Sequence, residues 1–267
     1  MKDLVIDIHA HFIPKLLYVR FDANSAKFPE VKLLRDDKGI RMQFPGSPPT
    51  RPISPKLSDL ADRRAWMDRN AIDHQLVGGW LDSFGYELPA GEGLAWSRFY
   101  NDCLEEELGE ETRFTPLATV PLQHGGLAAE VLAEALERGF GGVMIGTLPK
   151  GNAGNLDDPS LDPFWQAASD LEAPERIGQG KYADPRKGFE AMYFDSCVFD
   201  ADSLEYLAKK AGPGRVMLGS DQPFPIGDPE PRKVLEGTYF NEALKKGILG
   251  ETAQSVFRIR ADCWSPR

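Results

Sequence analysis

Histidine and cysteine are scarce in this chain, with four of the first and three of the second in 267 residues. The cysteines, Cys103, Cys197 and Cys263, are far apart, odd in number and without Cys-x-x-Cys spacing. That argues against a disulfide framework and a thiolate zinc site, and fits the reducing cytosol, so a cytoplasmic protein is expected. No apolar run reaches the roughly 18 residues of a bilayer span, and the N-terminus alternates charged and aliphatic residues instead of joining a basic start to an apolar stretch. Neither a membrane span nor a secretory signal is expected. Lys and Arg number 31 against 41 Asp and Glu, a net charge of −10, which argues against a general binder of phosphate backbones. Nucleic acid and membrane are both set aside as partners.

What is present is a globular composition: 42 % of residues are hydrophobic, enough to bury a sizeable core. Short aliphatic runs alternate with amphipathic segments, the pattern of β/α units around a parallel sheet. Six strands are predicted, at Leu4–His9, Gln75–Trp80, Pro116–Leu122, Gly142–Thr147, Ala191–Phe199 and Arg215–Ser220. Helices are predicted near Ser58–Asn70, Gly93–Leu108, Leu127–Arg138, Pro159–Leu171, Asp202–Ala211, Glu230–Lys246 and Glu251–Ala261. Ser58, Asp157 and Asp200 stand where N-caps are wanted, and Gly139 follows the third helix as a left-handed C-cap residue. The proline-rich stretch from Ile13 to Lys56 has no convincing period. Both its flanks continue the β/α pattern, so residues 13–56 are expected to form a long loop at the mouth of one domain spanning 1–267.

In a parallel β/α fold, chemistry gathers where strands end at their C-termini. That rule sorts the histidines. His9 and His11 close the first strand, and alternation puts both imidazoles on one face, where they can meet one divalent metal. His74 precedes its strand and reads as structural. His124 follows Pro116–Leu122 but stands where a helix begins, which suits a capping or surface role. Asp221, in Leu218-Gly-Ser-Asp221, ends the last strand and is followed by Gln222-Pro-Phe-Pro225, so its carboxylate belongs at the mouth beside His9 and His11 if first and last strands are neighbours. Asp195, placed mid-strand in YFDS, reads as a satisfied structural group.

At these motifs the chain resembles the amidohydrolase superfamily, in its aminocarboxymuconate-semialdehyde decarboxylase branch of zinc-dependent (β/α)8 barrels. The resemblance runs through IDIHAHFIP, RRAWMDRNAIDHQLV, PLATVPLQ, GFGGVMIGT, LDPFW, YFDS and VMLGSDQPFPIGDPEP. It implies a divalent metal, zinc or manganese, held by His9, His11 and Asp221. It also implies a small carboxylic acid substrate whose carboxylate is bound by Arg41, with Arg35 standing for a neighbouring basic residue in LLRDDKGIRMQF; read without it, both arginines are solvated charge. A homodimer is expected on the same ground.

The chain departs from the family after Pro174. There the family continues through a strand ending in His-Pro and another carrying His-Gly-Gly-Gly, whereas this chain passes straight to ERIGQGKYADPRKGFEAMYFD. An internal deletion of the fifth and sixth strands follows, together with loss of one metal-ligand histidine and the acid/base histidine. His124-Gly125-Gly126 belongs to an earlier strand and is not the missing motif. About eight strands close a barrel, so six would leave unpaired edges and a fold that is open, strained or partner-dependent. Three ligands still suffice for zinc, but removal of the acid/base typically costs about two to four orders of magnitude. His124, Asp195 and Lys181 are the substitutes to consider. The leading expectation is a metal-dependent decarboxylase of an unsaturated or aromatic carboxylic acid. The alternatives are a hydrolase using the same site, and a noncatalytic shortened paralogue or gene-model artefact.

Overall fold

The computed structural model describes residues 3–151, 154–170, 192–212 and 214–259. The junction after Pro174, Lys181 and Cys263 lie outside these. β1 (Ile6–His11) pairs in parallel with β4 (His74–Gly78), which pairs in parallel with β5 (Phe114–Pro116). A parallel bridge from Ala118 to Val143 extends this side by one segment. On the other side of β1 the backbone of residues 218–222 is held by Ile8 N–H to Leu218 O at 2.9 Å, Asp221 N–H to His9 O at 2.8 Å and His11 N–H to Gln222 O at 2.8 Å. That segment continues β7 (Val216–Met217), which pairs in parallel with β6 (Phe194–Asp195). The described residues therefore form one arc of parallel segments, β6–β7–β1–β4–β5–Val143, in which first and last strands are neighbours. Among them no strand joins Val143 to β6, so the described arc is not a closed barrel.

Several strands are shorter than predicted, for local reasons. β5 begins two residues early and stops at Pro116, since Pro116 and Pro121 offer no N–H to a ladder. Gly142–Thr147 shrinks to the Val143 bridge, because Gly142 at φ +146 leaves the extended region just before it. β6 ends at Asp195, whose Oδ1 turns the chain by accepting from Cys197 N at 2.9 Å, and Phe199 at φ +65 completes the break. Val77 packs with Ala10, Phe12, Met67, Leu104 and Ala118, while its neighbour Leu76 packs with Ile6, Leu117 and Met217. Successive strand residues face opposite sides, so the sheet carries a core on each.

Most of the helices lie close to their predicted positions. α3 (Leu60–Arg69) is capped by Asp59 rather than Ser58, because Ser58 Oγ instead donates to Ile13 O at 2.6 Å. α4 (Ala90–Leu108) buries Trp96, Phe99, Tyr100, Cys103 and Leu104 on one stripe, and α5 (Gly125–Glu137) buries Ala128, Val131, Leu132 and Ala135. Gly139 follows α5 at φ +90, as a C-cap requires. Asp158, not Asp157, accepts from Ser160 N at 2.9 Å ahead of α6 (Asp162–Asp170). α7 (Ala201–Ala211) is capped by Asp200 as predicted. The single helix expected over 230–246 is two, α8 (Pro231–Glu236) and α9 (Glu242–Lys246), since Asn241 caps a new start by accepting from Leu244 N. α10 (Thr252–Phe257) follows a π-helical turn, where Gly250 lies so close to the residues leading into β1 that a Cβ would meet Leu4 O at 1.8 Å.

Residues 13–56 are not the structureless loop expected from their prolines. They hold α1 (Lys15–Val19), α2 (Phe21–Asn24) and an antiparallel hairpin of β2 (Lys32–Asp36) and β3 (Gly39–Gln43). Gly39 at φ +106 and the Lys38 N–H to Asp36 Oδ1 bond close its turn. Ile13, Leu17, Phe21, Phe28, Met42, Phe44 and Leu57 pack on Trp80 and Trp96 as a core of their own. Their spacing has no helical or strand period because several short elements share that cluster.

Candidate metal centre

The residues that close β1, follow β4, close β6 and follow β7 meet at one rim of the sheet. His9 and His11 project from β1 beside a register shift between Asp7 and Ala10, where the ladder with β4 is interrupted by a bulge. His11 is buried, and its Nδ1 lies 2.9 Å from Gly79 O, just past β4. His9 is partly exposed, and its Nδ1 lies 2.8 Å from Asp195 Oδ2 at the end of β6. With both Nδ1 atoms engaged, both Nε2 atoms face Asp221: His11 Nε2 stands 3.1 Å and His9 Nε2 3.6 Å from Asp221 Oδ1. One ligand atom from each of the three residues falls within 4.8 Å of the others. Donors that each sit about 2.0–2.2 Å from a shared ion are about 3–3.6 Å apart, so these residues fit a divalent metal.

Local structure holds the arrangement. Asp221 adopts φ +59, a conformation uncommon outside glycine, while its N–H is tied to His9 O. Gly219 lets Asp195 and His9 approach, since a Cβ there would stand 2.6 Å from Asp195 Cβ and 3.1 Å from His9 Cβ. Phe224 lies against His11 with ring centroids 4.8 Å apart and reaches the apolar core of the mouth segment. The Asp195 hydrogen bond raises the pKa of His9; burial opposes it, and the charges of Asp195, Asp221 and Asp7 add to it. Burial works to raise Asp195, but the His9 hydrogen bond and charge, with the Cys197 N–H, hold it below the usual carboxylate range.

The structure thus brings His9, His11 and Asp221 together as predicted. It corrects the reading of Asp195 as a mid-strand group: it ends its strand and is bonded to a metal-ligand candidate. The signal was available, since YFDS precedes the last strand and its carboxylate ends a run as Asp221 does. Gly79 O and Phe224 were missed because a backbone carbonyl and a turn aromatic carry no motif. His74 begins β4 at the opposite end of the sheet, bonded to Thr115 Oγ1 at 2.8 Å. His124 occupies the N-cap position of α5 without a side-chain capping bond and lines a separate open depression with Ala90, Gln123 and Ser160. All four histidines are described, and only two reach the centre. On the hairpin Arg41 pairs with Asp36, while Arg35 binds Asp22 at 3.3 Å and Tyr18 O at 2.8 Å.

Fold and donor set together define a class: parallel β/α proteins with a cluster of donors at the strand ends that fits a divalent metal. Comparison with known proteins narrows it. The family model described as Amidohydrolase matches residues 175–259, a stretch that contains Asp221. A 2-amino-3-carboxymuconate-6-semialdehyde decarboxylase of Dictyostelium discoideum is 23 % identical over 340 positions, covering 94 % of this chain and 91 % of that protein. Among solved structures, the Metarhizium anisopliae IDCase in its apo form superposes with a TM-score of 0.73 at 15 % identity, covering 96 % of this chain and 97 % of that one. A dihydroxybenzoic acid decarboxylase from a Polaromonas species, with bound manganese and 2-nitroresorcinol, superposes with a TM-score of 0.73 at 18 % identity, covering 99 % and 100 %. The chain is similar to these decarboxylases along nearly its whole length and shares the fold of the solved ones. No helix among the described residues is long and apolar enough to cross a membrane.

Proposed function

We propose that this chain is a metal-dependent decarboxylase of an unsaturated or aromatic carboxylic acid, with His9, His11 and Asp221 as metal ligands. The observation that carries the reading is the convergence of both imidazole Nε2 atoms on Asp221 Oδ1 at the strand ends. Zinc and manganese both suit two imidazoles and a carboxylate. When bound, such an ion polarises substrate oxygens and stabilises negative charge that develops as CO2 leaves. The chain's own residues do the rest. Asp195 and Gly79 O fix the two rings, Phe224 supplies an apolar wall beside His11, and Arg41 with Arg35 orients the substrate carboxylate. In the structure those arginines are held by Asp36 and Asp22, so a substrate carboxylate would exchange with those acids.

The same reading includes a barrel shortened by its fifth and sixth strands, and a homodimer. Supporting the first, the alignment with the Dictyostelium protein runs over 340 positions, well beyond the 267 residues of this chain. The shortening favours a second reading, a metal-binding but noncatalytic relative. Carbon protonation needs a titratable group in reach; His124 stands in another depression, Asp195 is bonded to His9 and Lys181 lies outside the described residues. The test is manganese and zinc titration of the purified chain beside His9→Ala/His11→Ala, followed by a CO2-release screen over aromatic and unsaturated carboxylic acids. One equivalent of metal that the double variant loses, with CO2 release, supports the decarboxylase. Metal without CO2 release supports the noncatalytic relative, and no metal in the wild type refutes both. Size-exclusion chromatography with light scattering tests the dimer.

A further inference from the structure

Beneath the three ligands lies a buried polar network of Asp7, Gln75, Arg63 and Ser220, each side chain drawn from a different segment. Asp7 is fully buried and its carboxylate accepts four hydrogen bonds. Oδ1 takes His9 N–H and Ser220 N–H, each at 3.1 Å; Oδ2 takes Ser220 Oγ–H at 2.6 Å and Gln75 Nε2–H at 2.7 Å. Gln75 is oriented in turn by Arg63, whose Nη1 donates to Gln75 Oε1 at 2.9 Å and whose Nη2 donates to His11 O. The network therefore touches the backbone of His9, that of His11 and that of Ser220, the residue before Asp221.

The positions it touches are those where the backbone needs help. The bulge takes His9 out of the β1–β4 ladder, and Asp7 receives the amide so freed. Asp221 holds a left-handed conformation, which persists only where the surroundings fix it. Ser220 does so on one side through its amide and hydroxyl on Asp7, and on the other its Oγ accepts Gln222 N–H at 3.1 Å. A buried carboxylate with four donors is also far stiffer than any one of those bonds, because losing a partner would leave a buried polar group unsatisfied.

We propose that Asp7 is a positioning residue of the metal centre: through the amide of His9 and the amide and hydroxyl of Ser220 it sets the two strand ends that carry His9 and Asp221. This rests on the metal-centre reading above. The experiment compares the wild type with Asp7→Asn, Ser220→Ala and their double variant. Thr115→Val serves as control, removing the hydroxyl bonded to His74 at the far end of the sheet. Each is measured for manganese affinity by calorimetry, for metal-free stability in urea, and for His9 and His11 ring signals by 1H–15N correlation in the metal-free state.

Asp7→Asn is expected to weaken manganese binding about tenfold and to move both ring signals. Ser220→Ala should act in the same direction, the double variant adding less than the sum because the two share one network. Thr115→Val should lose stability at unchanged affinity. Folded Asp7→Asn with wild-type affinity and unmoved ring signals overturns the proposal. Should Asp7→Asn fail to fold, Ser220→Ala, which keeps the carboxylate, is judged by the same two readouts. If the wild type binds neither manganese nor zinc, the metal-centre reading fails, and the ring signals of the metal-free variants alone decide whether Asp7 positions these side chains.

Discussion

Replacing Asp195 by Asn should weaken metal binding by loosening the hold on the His9 ring. His9 Nδ1 lies 2.8 Å from Asp195 Oδ2, and a hydrogen bond to a charged group contributes about 1.5–3 kcal/mol. The two side chains are 34 % and 31 % exposed, so solvent screening brings the expected loss to about 1–2 kcal/mol. At about 1.4 kcal/mol per decade this is roughly a five- to thirtyfold fall in affinity, overlapping the roughly 10–100-fold typical of groups that orient a ligand.

The pH dependence gives a second check on Asp195. The raised pKa of His9 contributes stability to the metal-free fold that is complete below the unfolded value near 6.5 and lost as pH rises through the folded value. Metal requires the neutral ring, so below that value the wild type must release a proton that Asp195 helps to retain. The variant releases it more readily. The affinity gap between the two proteins should therefore narrow as pH falls from 8 to 6. Calorimetric titration with manganese at both pH values measures it. A folded Asp195→Asn protein with wild-type affinity at both would refute the argument that this carboxylate orients His9.

Gly219→Ala places a methyl group 2.6 Å from Asp195 Cβ, and should cost about 1–3 kcal/mol in urea unfolding and weaken manganese binding with it. Gly250→Ala would set a methyl group 1.8 Å from Leu4 O, so the π-helical turn before α10 must move away from Leu4; a thermal midpoint well below the wild type is expected, and an unchanged one would contradict the packing. Burial, with help from the Arg113 charge, lowers His74 to about 4. Its neutral ring stabilises the fold above about pH 6.5, and up to about 3 kcal/mol is lost as pH falls towards 4. His74→Gln should flatten that part of the urea-midpoint profile. Asp59→Ala removes an acceptor bonded to Ala61 N and Asp62 N at 3.0 Å each, and should cost about 1 kcal/mol by the same assay.

Much of this fold was legible in order and type. Alternating aliphatic runs and amphipathic stripes located α4, α5 and α7 to within a few residues, because those helices bury one face and the pattern is local. Strand limits were read less well. β5 stops at a proline, and β6 stops where Asp195 caps the turn that follows, neither of which a hydrophobic run reports. The mouth segment was misread as loop, since a cluster shared by two short helices and a hairpin has no single period.

By itself the sequence determined the class of site: His-x-His closing one strand and an aspartate closing another are donors that suit a divalent ion, and both stand where such runs end. Their meeting was decided by tertiary structure. β1 and the segment after β7 are more than two hundred residues apart in the chain and adjacent in the sheet, held by His9 O, Leu218 O and Gln222 O. The same adjacency turns Asp195 from a residue in a strand into the partner of His9, and Asp7 from an acid in IDIHAH into the acceptor that joins two strand ends. Spacing along a chain records which faces are apolar and where segments end. Which ends share a rim depends on strand order, and strand order is a property of the assembled sheet.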